Sequence, residues 1–301
     1  MQYPPMSLYV HIPWCEKKCP YCDFNSYASS NIPERDYLDC LIADLQIEAE
    51  SVQARELRSI FIGGGTPSLF SAKSLARLLQ TVAKKFHFNK DIEVTLEVNP
   101  ASADQRKFLD FFHAGINRLS IGVQSFNNSS LRDLGRIHTG IDGVSAIKLA
   151  QTAGFSNINI DLMYGLPNQS EEEALSDLNA AILQGPQHIS WYELTIEPNT
   201  IFYSNPPRLP KENELEAIQE AGLAFLSENG FSRYEISAFS KLNHQCQHNL
   251  NYWRFGDYLG IGAGAHGKIP KIDNSITRYS KTRNPGDFIS ASPCETKVKE
   301  P

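Results

Sequence analysis

Apolar positions along this chain switch repeatedly between strand-type runs and a helical spacing of three and four residues. Residues 7–13 form a strand-like run. A helical pattern opens at Pro33 and Glu34, with Tyr37, Leu38, Leu41, Ile42, Leu45 and Ala49 on one face. Residues 58–63 read as a short buried strand ending in glycines. Leu75, Leu78, Leu79, Val82 and Phe86 then mark a helix opening near Ser71. Residues 93–98 alternate as a strand, and a helix follows from about Asp104. The pairing repeats with a strand at 118–124 and a helix at 143–153, and again with a strand at 157–163 and a helix at 171–183. Residues 188–196 are the sixth strand.

Strands alternating with helices in this order predict a parallel sheet flanked by helices. Polar residues or glycines recur where the strands end: Gly64-Gly65-Thr66, Glu97, Gln124 and Asp161. Parallel barrels build their sites at that edge. The expected fold is therefore α/β, an incomplete (β/α)6 barrel over residues 1–200, too short for eight units. Residues 205–210 read as a linker and 212–228 as a helix with Leu215, Ile218, Leu223 and Leu226 apolar. Residues 231–236 read as a short strand. Residues 244–258 are polar and aromatic, 260–266 form a glycine-rich turn, and the composition beyond Pro270 is loop-like. The division expected is a barrel at 1–200, an accessory segment at 201–270, and a loop-like start of a further domain at 271–301.

At 301 residues and 41% hydrophobic, the chain is long and apolar enough for a sizeable core. Its net charge of −6 speaks against nucleic acid as the main partner. No run of about 18 apolar residues is present to span a membrane. The N-terminus lacks the basic and apolar regions of a signal peptide, so a cytoplasmic protein is expected. Six cysteines stand at 15, 19, 22, 40, 246 and 294, three clustered and three isolated, which reads as a reducing compartment with a metal site.

Cys15, Cys19 and Cys22 form a C-x3-C-x2-C array directly after the first strand. Thiolates this close together suit an iron–sulfur cubane, which normally takes four cysteines. With three supplied locally, one iron stays open to another ligand. Zinc is the alternative, with His11 or His244 recruited. Gly63-Gly64-Gly65-Thr66-Pro67 at a strand end lacks the signature of a phosphate loop or a dinucleotide fingerprint. It is either a tight turn or a close approach of backbone to a ligand. Glu97 and Asp161 could accept hydrogen bonds from a ribose or an amine, and Arg136 could pair with a carboxylate.

The cysteine array, with Tyr21 before its last member, resembles the radical S-adenosylmethionine (SAM) superfamily. From Leu8 to about Gly267 the chain is similar to one branch, the oxygen-independent coproporphyrinogen III oxidase-like (dehydrogenase-like) proteins. The matching stretches are YVHIPWC, GGGTPS, EVNP, LSIGVQSF, IDLMYGLP and EPNTIF. The resemblance implies a radical SAM partial barrel and a [4Fe-4S] cluster on Cys15, Cys19 and Cys22. It implies SAM contacts at Tyr9, Tyr21, Gly64, Gly65, Thr66, Glu97, Gln124, Arg136 and Asp161, with the GGTP segment at the methionyl amino group. In the superfamily's chemistry the reduced cluster cleaves SAM to a 5′-deoxyadenosyl radical.

Within that branch, Phe24 stands where the oxidases resemble C-x3-C-x2-C-x-C, and only 14 residues precede Cys15. His248-Asn249-Leu250-Asn251-Tyr252-Trp253 resembles the HNxxYW signature of HemW-type heme chaperones. His248 offers an imidazole for heme iron, and Tyr252 and Trp253 offer flat faces for a porphyrin. Asn249 belongs to the same motif. Cys246 reads as a free thiol or a second ligand, and His266 as a further candidate. The function implied is a heme chaperone with cluster and exchangeable SAM, delivering heme as cargo to respiratory-chain hemoproteins. The alternative is the oxidase, decarboxylating coproporphyrinogen in heme biosynthesis. The resemblance leaves a homodimer open and membrane contact at most peripheral. It also implies a small helical C-terminal domain, most of which would lie beyond Pro301.

Overall fold

The computed structural model describes residues 4–52, 55–270, 275–291 and 296–299. Among them one large sheet of twelve strands carries the molecule. Its centre is parallel, in the spatial order Asp257–Ile261, Met6–Ile12, Glu56–Gly64, His87–Val98, Arg118–Gln124, Ile158–Tyr164, His188–Glu193. The last six follow chain order and are the six strands expected from the apolar runs. Met6–Ile12, Arg118–Gln124 and Ile158–Tyr164 are buried nearly throughout, and His87–Val98 is buried in its second half. Leu8, Val10, Ile12, Ile60, Ile62, Leu96, Ile121 and Ile160 belong to one continuous core, as a parallel sheet covered by helices requires. The sheet does not close. It ends in antiparallel additions, Ala238–Ser240 and Ser232–Arg233 on one side, and His266–Pro270, Ile276–Lys281 and Lys297–Lys299 on the other.

The predicted helices form for the reasons their patterns suggest. Glu34–Glu50 buries Tyr37, Leu38, Leu41, Leu45 and Ala49, and Ala72–Lys85 buries Leu75, Leu78, Leu79 and Val82. Ser71, Asp104, Thr139 and Ser170 cap the helices that follow them by accepting backbone N–H bonds. Thr139–Asp142 and Ser170–Glu173 are reciprocal capping boxes.

Several segments differ from the sequence reading. Asp161 is mid-strand, because that strand continues to Tyr164. The last predicted strand stops at Glu193, and 231–236 contributes only Ser232–Arg233. Residues 244–258 contain the helix Gln247–Trp253 and the start of a seventh parallel strand, Asp257–Ile261, beside Met6–Ile12. The helix has no apolar stripe, since its buried residues are His248 and Asn251. Beyond Pro270 the loop-like reading is corrected too: Ile276–Lys281 is a strand and Pro285–Ser290 a helix. Tyr279 and Lys281 are the inward positions of that strand, and Lys281 is held by Asp44 and Glu48 of the first helix. Ion pairs on a distant helix bury this strand, and local composition carries no trace of them.

Candidate functional site

The cluster loop lies over the C-terminal edge of the parallel strands and is bound to the glycine segment by backbone. Gly65 N donates to Ile12 O (2.9 Å) and Thr66 N to Trp14 O (2.7 Å). A Cβ on Gly65 would stand 2.5 Å from Trp14 O and 3.0 Å from Cys15 Sγ; on Gly64, at φ +122°, it would stand 2.8 Å from the His11 ring. Here the glycines admit the chain's own cysteine-bearing loop, a close approach of backbone to backbone.

A cavity of 330 Å³ opens beneath this loop. Cys15, Cys19, Tyr21 and Cys22 line one side; Gly64, Gly65, Thr66, Glu97, Gln124, Arg136 and Asp161 complete the wall. Eleven of the predicted cluster and SAM positions therefore converge. Tyr9 does not line this cavity. The strand Arg118–Gln124 has a register shift between Gly122 and Gln124, and Gln124 sits at φ +70°. Such a bulge re-aims a side chain, and Gln124 Oε1 accepts from the Tyr192 hydroxyl at 2.6 Å. Tyr192, also in the wall, was not singled out by any motif; its place in the run WYEL is its only signal.

The Cys19 and Cys22 sulfurs have polar neighbours. Arg136 Nη1 lies 3.6 Å from Cys19 Sγ, and Ser26 Oγ lies 3.8 Å from Cys22 Sγ. Burial pushes the Cys15 and Cys22 thiols up, so holding them as thiolates calls for the positive charge that iron supplies. The donor set fits a cluster better than zinc. Both His11 nitrogens are engaged, by Tyr9 Oη at 2.9 Å and Asn25 O at 2.9 Å. His244 lines a separate cavity with Arg58 and Asn89. Among the described residues no three His, Cys, Asp or Glu side chains converge on a single ion. Cys40 packs in the first helix near Ile289 O, and Cys294 lies outside the described residues.

Two carboxylates face the cavity, and burial raises the pKa of both. Glu97 accepts from Gly64 N at 3.0 Å, and burial, then the nearby Asp161, raises its pKa to about 8. Asp161 is raised by burial but accepts from Ser120 Oγ (3.0 Å) and Asn159 Nδ2 (2.7 Å), which oppose the rise. Arg136 Nη2 donates to Gly122 O at 2.7 Å, while its Nε is buried without a partner. The wall thus combines a fixed guanidinium with two buried carboxyl groups.

A second cavity, of 730 Å³, adjoins the first and shares Phe24, Gly64 and Glu97 with it. Tyr9, His11, Phe61, His248, Asn249, Tyr252, His266 and Arg283 line it. The His248 ring stacks on Phe61 (5.0 Å, 28°) and meets Tyr252 edge-on (5.0 Å, 84°). Burial, reinforced by Arg118, lowers its pKa to about 3, so the imidazole is neutral at pH 7. Trp253 lines neither cavity and is 56% exposed.

The family model for the radical SAM superfamily matches residues 9–181. Heme chaperone HemW of Haemophilus influenzae is 54% identical over 291 residues, 95% of this chain and 76% of the relative. The chain belongs to the HemW family of the radical SAM superfamily. HemW of Escherichia coli is 51% identical over 96% of this chain and 77% of its own length. The solved coproporphyrinogen III oxidase (HemN) of Escherichia coli superposes with a TM-score of 0.84 at 24% identity. That match covers 99% of this chain and 71% of HemN, a likeness of fold alone.

In this HemW-family chain the helix bearing the HNxxYW motif is held from outside itself. Cys246 precedes it but makes no cap. Instead Glu93 accepts from Gln247 N (3.0 Å), His248 N (3.3 Å) and Cys246 Sγ (3.4 Å). Cys246 is buried in that contact, its thiol pushed up to about 12 chiefly by burial, and lines neither cavity. Glu93 in turn faces the buried Arg118 at 3.9 Å. Glu93 was legible only as a strand residue; a charged residue in a buried alternating strand is the signal that could have flagged it.

Proposed function

We propose that this chain is a heme chaperone. It binds heme in the larger cavity against His248 and Tyr252, and holds a [4Fe-4S] cluster and SAM in the smaller one. When bound, the cluster supplies one-electron reducing power toward the SAM sulfonium. The chain's own residues do the rest. Cys15, Cys19 and Cys22 hold the cluster, Arg136 donates toward Cys19, and Glu97, Gln124 and Asp161 offer acceptors to SAM. Tyr9 stands on the heme side of the shared wall.

The observation that carries this reading is that the two cavities share Phe24, Gly64 and Glu97 as a common wall, with His248 lining the second. A neutral, buried imidazole keeps its lone pair free of proton competition at pH 7, as an axial ligand requires. The identity to heme chaperones of two bacteria supports cargo handling, whereas the likeness to HemN extends to fold. Respiratory-chain hemoproteins are the acceptors proposed. Among the described residues no helix is long and apolar enough to cross a membrane.

The test is an anaerobic heme titration of the reconstituted protein, followed in the Soret band, with His248→Ala in parallel. Saturation near one heme per chain is expected, with affinity at least about tenfold weaker in the variant. Absence of any heme-dependent Soret change would overturn the chaperone reading. An unchanged affinity in the variant would remove His248 as ligand.

A further inference from the structure

Phe24 is 60% exposed and lines both cavities. An exposed apolar ring is ordinary in itself. What sets this one apart is the rigidity of the backbone beneath it. Lys18 Nζ donates to Phe24 O (3.0 Å) and Ser26 O (3.1 Å), and Ser26 N donates to Phe24 O at 2.7 Å. The next residue, Asn25, donates through Nδ2 to Ala263 O (3.0 Å) and Arg283 O (2.9 Å), while its carbonyl meets His11 Nε2 at 2.9 Å. A large ring is thus presented from a loop tied on every side, two residues past Cys22, at the seam between the two cavities. Elsewhere in the larger cavity the aromatic surface is already arranged: Phe61 and His248 lie nearly parallel, with Tyr252 on edge. Its 730 Å³ is in the range of pockets that bury a flat, drug-sized molecule.

We propose that the Phe24 ring is a specificity-determining contact that packs against a tetrapyrrole held in the larger cavity and closes its seam with the cluster cavity. The proposal rests on the heme-binding reading above and adds to it a surface that does not ligate iron. A fixed backbone lowers the ordering cost of the contact, and an aromatic face suits a planar conjugated ring. Because the same ring walls the cluster cavity, cargo bound against it also covers that cavity from solvent.

The experiment uses the anaerobically reconstituted protein and two probes, heme and metal-free protoporphyrin IX, with Phe24→Ala, Phe24→Leu and Phe24→Trp. Iron and sulfide per chain are measured for each. Phe24→Ala is expected to weaken both probes about tenfold, the upper end for one aromatic contact. Phe24→Trp should restore binding, with cluster content unchanged throughout. Loss of affinity for the metal-free ring separates stacking from iron ligation, since His248→Ala should weaken heme more than the metal-free ring. If Phe24→Ala sheds its cluster, Phe24→Leu carries the comparison, since it keeps apolar bulk but not the flat face. Wild-type binding with variants within twofold of it would overturn the proposal while leaving the chaperone reading intact. Failure of the wild type to bind either probe would overturn both.

Discussion

Replacing Glu97 by glutamine should move stability and ligand binding in opposite directions. Burial and the neighbouring Asp161 raise the Glu97 carboxyl from 4.5 to about 8, against the bond it accepts from Gly64 N. The sign follows from proton counting. Below pH 4.5 the carboxyl is neutral in the folded and unfolded chain alike. Between 4.5 and 8 the unfolded chain has lost the proton while the folded chain keeps it, so stability falls as pH rises. Above 8 the full burden is present. At about 1.4 kcal/mol per pH unit the ceiling is roughly 5 kcal/mol. Glu97 borders an open cavity, and screening there should reduce this to about 2–3 kcal/mol. Glutamine accepts the same Gly64 bond without the charge. In urea melts of the cluster-free protein, Glu97→Gln should therefore differ little from wild type at pH 5. It should gain about 2–3 kcal/mol at pH 8. SAM binding to the reconstituted protein, by equilibrium dialysis, should weaken by about tenfold or more, because glutamine cannot give up a proton to become the carboxylate that a bound ammonium would favour. Parallel pH profiles for the two proteins would refute the electrostatic reasoning; unchanged SAM affinity would refute the assignment to SAM. Apart from these, the result would place Glu97 among residues whose cost to the fold serves the site.

Two further predictions concern groups remote from the cavities. Glu93→Ala removes the acceptor of two backbone N–H groups at the HNxxYW helix and deprives the buried Arg118 of the carboxylate 3.9 Å from its Nε. A loss of about 3–5 kcal/mol is expected in urea unfolding, with heme affinity falling in Glu93→Gln before SAM affinity does. Lys281→Met deprives Asp44 and Glu48 of their shared cation. Asp44 already stands at about 6 through burial, so the loss should be about 3 kcal/mol at pH 8 and smaller at pH 5, where a carboxyl can take up a proton. Equal losses at the two pH values would show that packing, and not charge, dominates there.

How much of this was readable in one dimension depends on how far each residue's partners lie along the chain. The six β-then-α pairs were legible because a parallel strand is apolar by itself and a helix stripe needs only its own spacing. The cysteine array was legible because its three donors fall within eight consecutive residues. The glycine segment was legible as a special backbone, although the body it admits, the loop at Trp14 and Cys15, lies some fifty residues earlier.

What the sequence alone determined, then, was the parallel α/β architecture, the family and most of the residues that converge on the smaller cavity. Tertiary structure decided the rest. It put Asp257–Ile261 beside the first strand, a pairing between opposite ends of the chain that no local pattern encodes. It buried Lys281 and Tyr279 through carboxylates of the first helix. It made Glu93 the anchor of a helix more than 150 residues later, and set Tyr9 and Phe24 against the cavity of His248. Periodicity reports which face of a segment avoids water. Which distant group satisfies a buried charge, or which two loops share one wall, is fixed only when the chain closes on itself.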